Sequence, residues 1–378
     1  MSVTAPAGFV ASAVPSGIKA DGLLDLALVS SATGPIPAAG VFTRNRAMAA
    51  PVIISRKRLT GGLARAVVVN SGCANAGTGE AGLVHAEAIT AAVAEHLGAE
   101  PDHVLACSTG PIGNQLPVTK VLAALPDLVK GLGTQGDGAA AAAILTTDSV
   151  PKTVVIDGDF VVGGMAKGAG MLRPDMATML AILTTDAEAS PTMLAGVLKE
   201  AVETTFNCLN VDGCESTNDT ALLLASGIAG AVPEDALGEK LEAACRDLAG
   251  QLASDAEGAT KVVRIVVRGA TDSVTARQVG RAVADSALVR ASFFGGDPNW
   301  GRVLAAAGTC PVEVGAIAYE GVNVYDHAGS VLFDATALAE RLRGSFTVTL
   351  DLREGQGECE IVTTDLSPEY VRFNGERS

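Results

Sequence analysis

Short apolar runs of β character alternate with stretches of helical periodicity from one end of the chain to the other, and few architectures satisfy such a pattern. Apolar runs of strand length fall at 24–30, 51–55, 65–70, 104–107 and 153–156, and helical spacing at 80–97 and 117–132. In the second half helices are expected over 191–205, 234–254 and 272–289, and strands over 261–267 and 346–352. The last of these, Phe346-Thr347-Val348-Thr349-Leu350-Asp351-Leu352, alternates residue by residue. The alanine-rich run 138–145 reads as a buried helix, and no repeat of about 20 to 50 residues is visible. Both halves are therefore expected to be mixed α/β, and 378 residues suffice for two or three domains or one large one.

A chain with 48% hydrophobic and 18% charged residues is a compact globular one. Its net charge of −15 repels a phosphate backbone, so neither general nucleic-acid binding nor an anionic membrane is an expected partner. Met1–Gly17 carries no basic leader pattern, and no run of about 18 apolar residues occurs, so a soluble, cytoplasmic protein is expected. The seven cysteines, Cys73, Cys107, Cys208, Cys214, Cys245, Cys310 and Cys359, are odd in number and form no C-x-x-C, which argues for reduced thiols rather than disulfides or zinc. Charge is unevenly shared: 12 basic and 13 acidic residues precede position 178, whereas 15 and 29 follow from it.

Common signatures are mostly absent. Gly131-Leu132-Gly133-Thr134-Gln135-Gly136 spells G-x-G-x-x-G, but it follows a helical pattern rather than a strand and reads as a helix-ending turn. Neither a phosphate-loop motif nor a G-x-S-x-G nucleophile elbow occurs. The four histidines, His85, His96, His103 and His327, lack metal-ligand spacing and read as surface residues, so no metal is expected. Lys167-Gly168-Ala169-Gly170-Met171-Leu172-Arg173-Pro174-Asp175-Met176-Ala177-Thr178-Met179-Leu180 is a glycine-rich approach to an apolar run. Read locally, it is a loop entering a buried helix through Pro174.

That segment is one of an ordered set. Gly40–Asn45 (Gly-Val-Phe-Thr-Arg-Asn), Asn70–Ala76 (Asn-Ser-Gly-Cys-Ala-Asn-Ala), Ser108–Gly113 (Ser-Thr-Gly-Pro-Ile-Gly) and Thr146-Thr147-Asp148 precede it. Asn207–Thr220, Glu257–Lys261, Asp297–Arg302 and Tyr370–Asn374 follow. Together these blocks resemble the ornithine acetyltransferase family of arginine biosynthesis over nearly the whole chain.

The resemblance implies a two-domain mixed α/β fold of the self-cleaving, aminopeptidase-like kind. It implies cleavage between Ala177 and Thr178 into chains 1–177 and 178–378, assembled as two α and two β chains. The freed α-amine of Thr178, with a reference pKa near 7.7–8.0, would serve as base for its own hydroxyl. Thr178 is then the nucleophile, carrying acetyl from N-acetylornithine to glutamate. Thr109 and the Gly110 N–H match the oxyanion-stabilising positions. Thr147 or its neighbour Thr146, Lys167, Glu257, Asn374 and Ser378 match substrate contacts, although the C-terminal stretch lacks a tyrosine and runs one residue short of the pattern. Cys73, Cys208 and Cys214 stand where the family leads one to expect Asn, Arg or Asp. No cofactor is implied, and acetyl-CoA stands open as a second donor. The competing expectations are a hydrolase of the same architecture and an amino-acid-binding protein that never cleaves.

Overall fold

The computed structural model describes residues 2–20, 22–173 and 179–376. In chain order the strands and helices of the first half are β1 (Phe9–Val14), β2 (Leu26–Ser31), β3 (Ile36–Phe42), α1 (Ala50–Arg58), β4 (Leu63–Ala64), β5 (Ala66–Ser71), α2 (Gly79–Leu97), β6 (Val104–Thr109), α3 (Val118–Lys130), α4 (Asp137–Ala143), β7 (Lys152–Ile156) and β8 (Val162–Lys167). Then come β9 (Leu180–Glu188), α5 (Pro191–Thr204), β10 (Leu209–Asn210), β11 (Thr220–Ala231), α6 (Glu234–Ser254), β12 (Val262–Ala270), α7 (Ser273–Asp285), α8 (Ala287–Gly295) and α9 (Trp300–Ala307). The chain closes with β13 (Ala316–Tyr319), β14 (Val322–Asp326), β15 (Gly329–Ser330), α10 (Ala335–Arg341), β16 (Phe346–Asp351), β17 (Gly357–Thr364) and α11 (Pro368–Gly375). The expected mixed α/β character holds throughout.

The chain forms two compact units. Described residues of 1–171, 175–207 and 214–252 make the first, and those of 172–174, 208–213 and 253–378 the second. The first holds a four-stranded sheet, β1-β2-β5-β6, and a six-stranded sheet, β4-β3-β11-β9-β8-β7. Successive side chains of a strand point to opposite faces, and β5 uses both: Val67 and Val69 join Val29, Leu105, Ile182 and Leu222 between the sheets, while Ala66 and Val68 meet Ile89, Val93 and Leu125 of α2 and α3. A strand buried on both faces reads as an unbroken apolar run, which is why 65–70 stands out in the sequence. On the outer face of the six-stranded sheet, α5 lies over β3, and Leu248 of α6 over Gly164.

The second unit has one mixed sheet, β10-β17-β12-β16-β13-β14-β15. Only one face is apolar: Val263, Ile265 and Val267 pack with Val348, Leu350, Ile361 and the α7 residues Ala276, Val279 and Val283. On the solvent side Arg264 pairs with Glu360 and Arg268 with Asp351.

Three local expectations are corrected. Residues 51–55 are helical, inside α1: five apolar residues are too few to set a period, Pro51 opens the helix, and Ile54, one turn after Ala50, packs with it against Ala86. The single helix expected over 272–289 is two, because Ser286 has an extended backbone, ends α7 and caps α8 by accepting the Val289 N–H. After Met179 the chain enters not a helix but β9, whose apolar run is buried between β8 and β11. The turn reading of 131–136 agrees with α3 ending at Lys130.

Leu105 lies fully buried between the two sheets of the first unit. Leu105→Ala is expected to lower unfolding free energy by about 2–5 kcal/mol in urea titration; a loss near zero would contradict the described intersheet core.

Candidate active site

The first unit brings the ends of two strands from different sheets together. Strand β6, parallel to β5, ends at Thr109, and β8, antiparallel to β9, ends at Lys167, opposite Leu180. Lys167 Nζ donates to Thr109 Oγ1 over 3.2 Å, and both residues are buried. A hydroxyl that accepts from an ammonium keeps its own hydrogen to donate elsewhere, as an oxyanion stabiliser must.

Backbone beside Thr109 is held on several sides. Cys73 N donates to Thr109 O over 3.0 Å, and Asn218 Nδ2 donates to the carbonyls of Ser108 (2.8 Å) and Ala74 (2.7 Å). Ser108 Oγ in turn donates to Asn70 Oδ1. Gly110 has a φ of +137°, and a Cβ there would lie 2.4 Å from Cys73 N, so only glycine fits.

Lys167 is itself positioned by charge. Asp148 Oδ2 lies 3.8 Å from its Nζ, while Lys152 Nζ bonds Oδ1 at 2.6 Å and the Gly168 N–H donates to the same oxygen at 2.6 Å. The side chains of Asp148 and Lys152 are wholly buried. Burial alone would push the Asp148 carboxyl up, but Lys167 and Lys152, with the bonds from Lys152 and Gly168, outweigh it and hold the group at about 2. Thr146 N also donates to Asp148 Oδ2, so Thr147 sits half-buried in a loop tied to this carboxylate. From the other side Lys19 Nζ donates to Leu145 O at 2.7 Å, and buried Asp25 accepts the N–H groups of Ser16, Ile18 and Lys19. Burial pushes Lys19 below the usual lysine range, Lys167 adding to the effect and Asp25 and Asp148 opposing it.

Met179 N donates to Asp219 Oδ1 over 3.0 Å. That places a buried carboxyl against the residue after position 178, with the Ser216 N–H as a second backbone donor to it. Burial pushes Asp219 well above the carboxylate range, against the Met179 N–H and the charge of Lys167.

Thr109, Gly110 and Lys167 are thus brought together, with Thr147 in the adjoining tethered loop. Glu257 and Asn374 belong to the second unit. Glu257 precedes Gly258, whose carbonyl accepts from Ser367 Oγ, the cap of α11, and Asn374 is exposed on that helix, donating to Tyr370 O. Ala177, Thr178 and Ser378 lie outside the described residues. Sequence reading assigned no role to Asp148, Lys152, Lys19 or Asp219. Lysine four residues after Asp148 and at the head of an apolar strand was the available signal for the first pair; Asp219 had none beyond its place in the Asn207–Thr220 block. Among the described residues no group of three or more His, Cys, Asp or Glu side chains is gathered as metal ligands.

Asp148 is depressed below its unfolded value of about 3.9, so it favours the folded state when ionised. Its contribution is complete above about pH 4 and lost as pH falls toward 2. Asp148→Asn, which removes the negative charge facing two buried ammoniums, is expected to cost about 3–5 kcal/mol at pH 7 and to flatten the acid limb of the stability profile. Urea unfolding at a series of pH values checks this; an unchanged acid limb would contradict it.

Comparison with known proteins gives a consistent result. The model of the ArgJ family matches residues 10–378. A protein of Mycolicibacterium paratuberculosis named arginine biosynthesis bifunctional protein ArgJ is 46% identical over 98% of this chain and 95% of its own. Among solved structures, ornithine acetyltransferase from Mycobacterium tuberculosis in complex with ornithine is 49% identical, covering 46% of this chain and 94% of that one with a TM-score of 0.45. Arginine biosynthesis bifunctional protein ArgJ from Bacillus halodurans is 33% identical, covering 52% of this chain and 98% of that one with a TM-score of 0.50.

Proposed function

The chain belongs to the ArgJ family, and from that premise we propose that it transfers acetyl from N-acetylornithine to glutamate through a threonine nucleophile freed by self-cleavage. The observation that carries the site assignment is the contact of buried Lys167 with the Thr109 hydroxyl, at the strand end that continues into Gly110.

In this reading Thr178 Oγ attacks the acetyl carbonyl while its own α-amine takes the proton. The Thr109 hydroxyl and the Gly110 N–H donate to the oxygen that becomes negative. Collapse of the intermediate passes a proton to the departing amine of ornithine and leaves an acetyl ester on Thr178. The amine of glutamate then attacks that ester through the same donors and leaves as N-acetylglutamate. Lys167, fixed by Asp148, presents a positive charge to the α-carboxylate common to both amino acids, with Thr147 in the adjoining loop; the family resemblance assigns further substrate contacts to Glu257, Asn374 and Ser378. Metal and cofactor are not invoked, since positioned hydroxyl, amine and backbone donors suffice for acyl transfer.

Cleavage between Ala177 and Thr178 draws on the same hydroxyl. It is supported by a solved relative of which nearly the whole chain, 98%, aligns with only 52% of this one. The proposed product is two chains, 1–177 and 178–378, assembled as two α and two β in the cytoplasm. The word bifunctional in the names of relatives supports a second donor, and acetyl-CoA is the one proposed.

The test is the stoichiometry of the reaction. Ornithine release should require glutamate, yield N-acetylglutamate one for one and give parallel double-reciprocal lines. Ornithine and free acetate without glutamate would mean a hydrolase instead. Thr109→Ala should lower kcat by about 10²–10³; undiminished turnover would remove Thr109 from the oxyanion role.

A further inference from the structure

Three elements of the second unit converge away from the residues discussed above. Strand β10 lies parallel to β17 with Leu209 opposite Val362, and α7 packs on both. The helix comes in close because residue 280 is glycine: a Cβ there would stand 2.7 Å from Ile361 Cγ1. On α7, Arg277 and Arg281 are one turn apart and flank that glycine. Cys208, immediately before β10, and Cys359, on β17, belong to the same packed cluster, the former buried and the latter half-buried.

Cys208 and Cys359 meet side chain to side chain, the Arg277 guanidinium reaches Cys359, and Cys359 Sγ also donates to Glu360 O over 3.7 Å. We propose that Cys359 and Cys208 form a peroxide-responsive dithiol, in which Cys359 is oxidised first and Cys208 converts it to a reversible disulfide joining β17 to the entry of β10.

The environment divides the roles. Cys359 is half-buried, within reach of a small oxidant and beside the charges of Arg277 and Arg281, which favour a thiolate, whereas Cys208 is buried and burial pushes its thiol up. Burial also pushes Cys73, Cys107 and Cys245 up, the setting of unreactive thiols. The Cys359 thiolate attacks one peroxide oxygen; the S–O bond forms, the O–O bond breaks, and Cys359 becomes a sulfenic acid as hydroxide leaves. Cys208 then attacks the Cys359 sulfur; the S–S bond forms, the S–O bond breaks, and its thiol proton leaves with the oxygen as water. In sum two thiols are oxidised and one hydrogen peroxide is reduced to two waters. Val211, which follows β10, donates its N–H to Leu172 O over 2.6 Å, so the staple would fasten the strand that holds the chain just before residue 173.

The experiment treats reduced full-length protein with hydrogen peroxide, caps remaining thiols with N-ethylmaleimide under denaturing conditions, and maps the peptides. The expected product is the Cys208 and Cys359 peptides joined, lighter by two hydrogens and separated again by dithiothreitol. In Cys208→Ser, Cys359 should stop at a sulfenic acid that dimedone captures. Recovery of Cys359 as the maleimide adduct when exposed Cys214 is oxidised would overturn the proposal. So would its linkage to any cysteine other than Cys208. Both readouts exist in the wild-type protein and do not depend on the variant folding.

Discussion

A carboxylate held between two buried ammoniums is the interaction on which the first unit's site depends. Asp148 sets its charge against Lys152 and Lys167 and takes further bonds from the Gly168 and Thr146 N–H groups. Removing the carboxylate would withdraw the negative charge from both ammoniums in a place shielded from water. Because the arrangement is costly to disturb, Lys167 has little freedom, and its ammonium stays on the Thr109 hydroxyl. The same carboxylate orders the Thr146 loop, so one ion cluster sets three of the positions to which the family resemblance assigns chemistry.

The sheets deliver those residues to one place. Thr109 and Lys167 close strands of two different sheets that share one apolar interior, and the register of each strand fixes which side chains face it. Gly110 turns sharply where the backbone of Gly72 and Cys73 leaves no room for a side chain. On the far side Asp219 holds Met179, so the strand that begins after position 178 is anchored at its first described residue. Precision at such a site comes from packed strands and buried hydrogen bonds rather than from loop contacts.

Legibility in the sequence followed burial. Strands β2, β5 and β6, apolar on both faces, and the alternating β16 announced themselves, as did the long helices α2, α3, α5 and α6. The short run 51–55 misled because its apolar residues serve two different clusters from one helix turn. Strands β1, β3, β8 and β11 were not read: alanines, glycines and serines dilute the signal of the first three, and the apolar run of β11, Ala221–Ala225, is too short to set a period. Thr109, Gly110 and Lys167 were reached only through family resemblance, and the structure brings them together. Asp148 and Lys152 signalled themselves only by a four-residue spacing that surface pairs share, and Asp219 not at all, because pairing between buried charges is a property of the fold.

The proposed chemistry turns on self-cleavage that exposes Thr178 as a nucleophile. The most direct measurement is the denatured intact mass of freshly purified protein beside the Thr178→Ala variant. Two chains are expected for the wild type, beginning at Met1 and Thr178, and one uncut chain for the variant. A single uncut chain in both would contradict it.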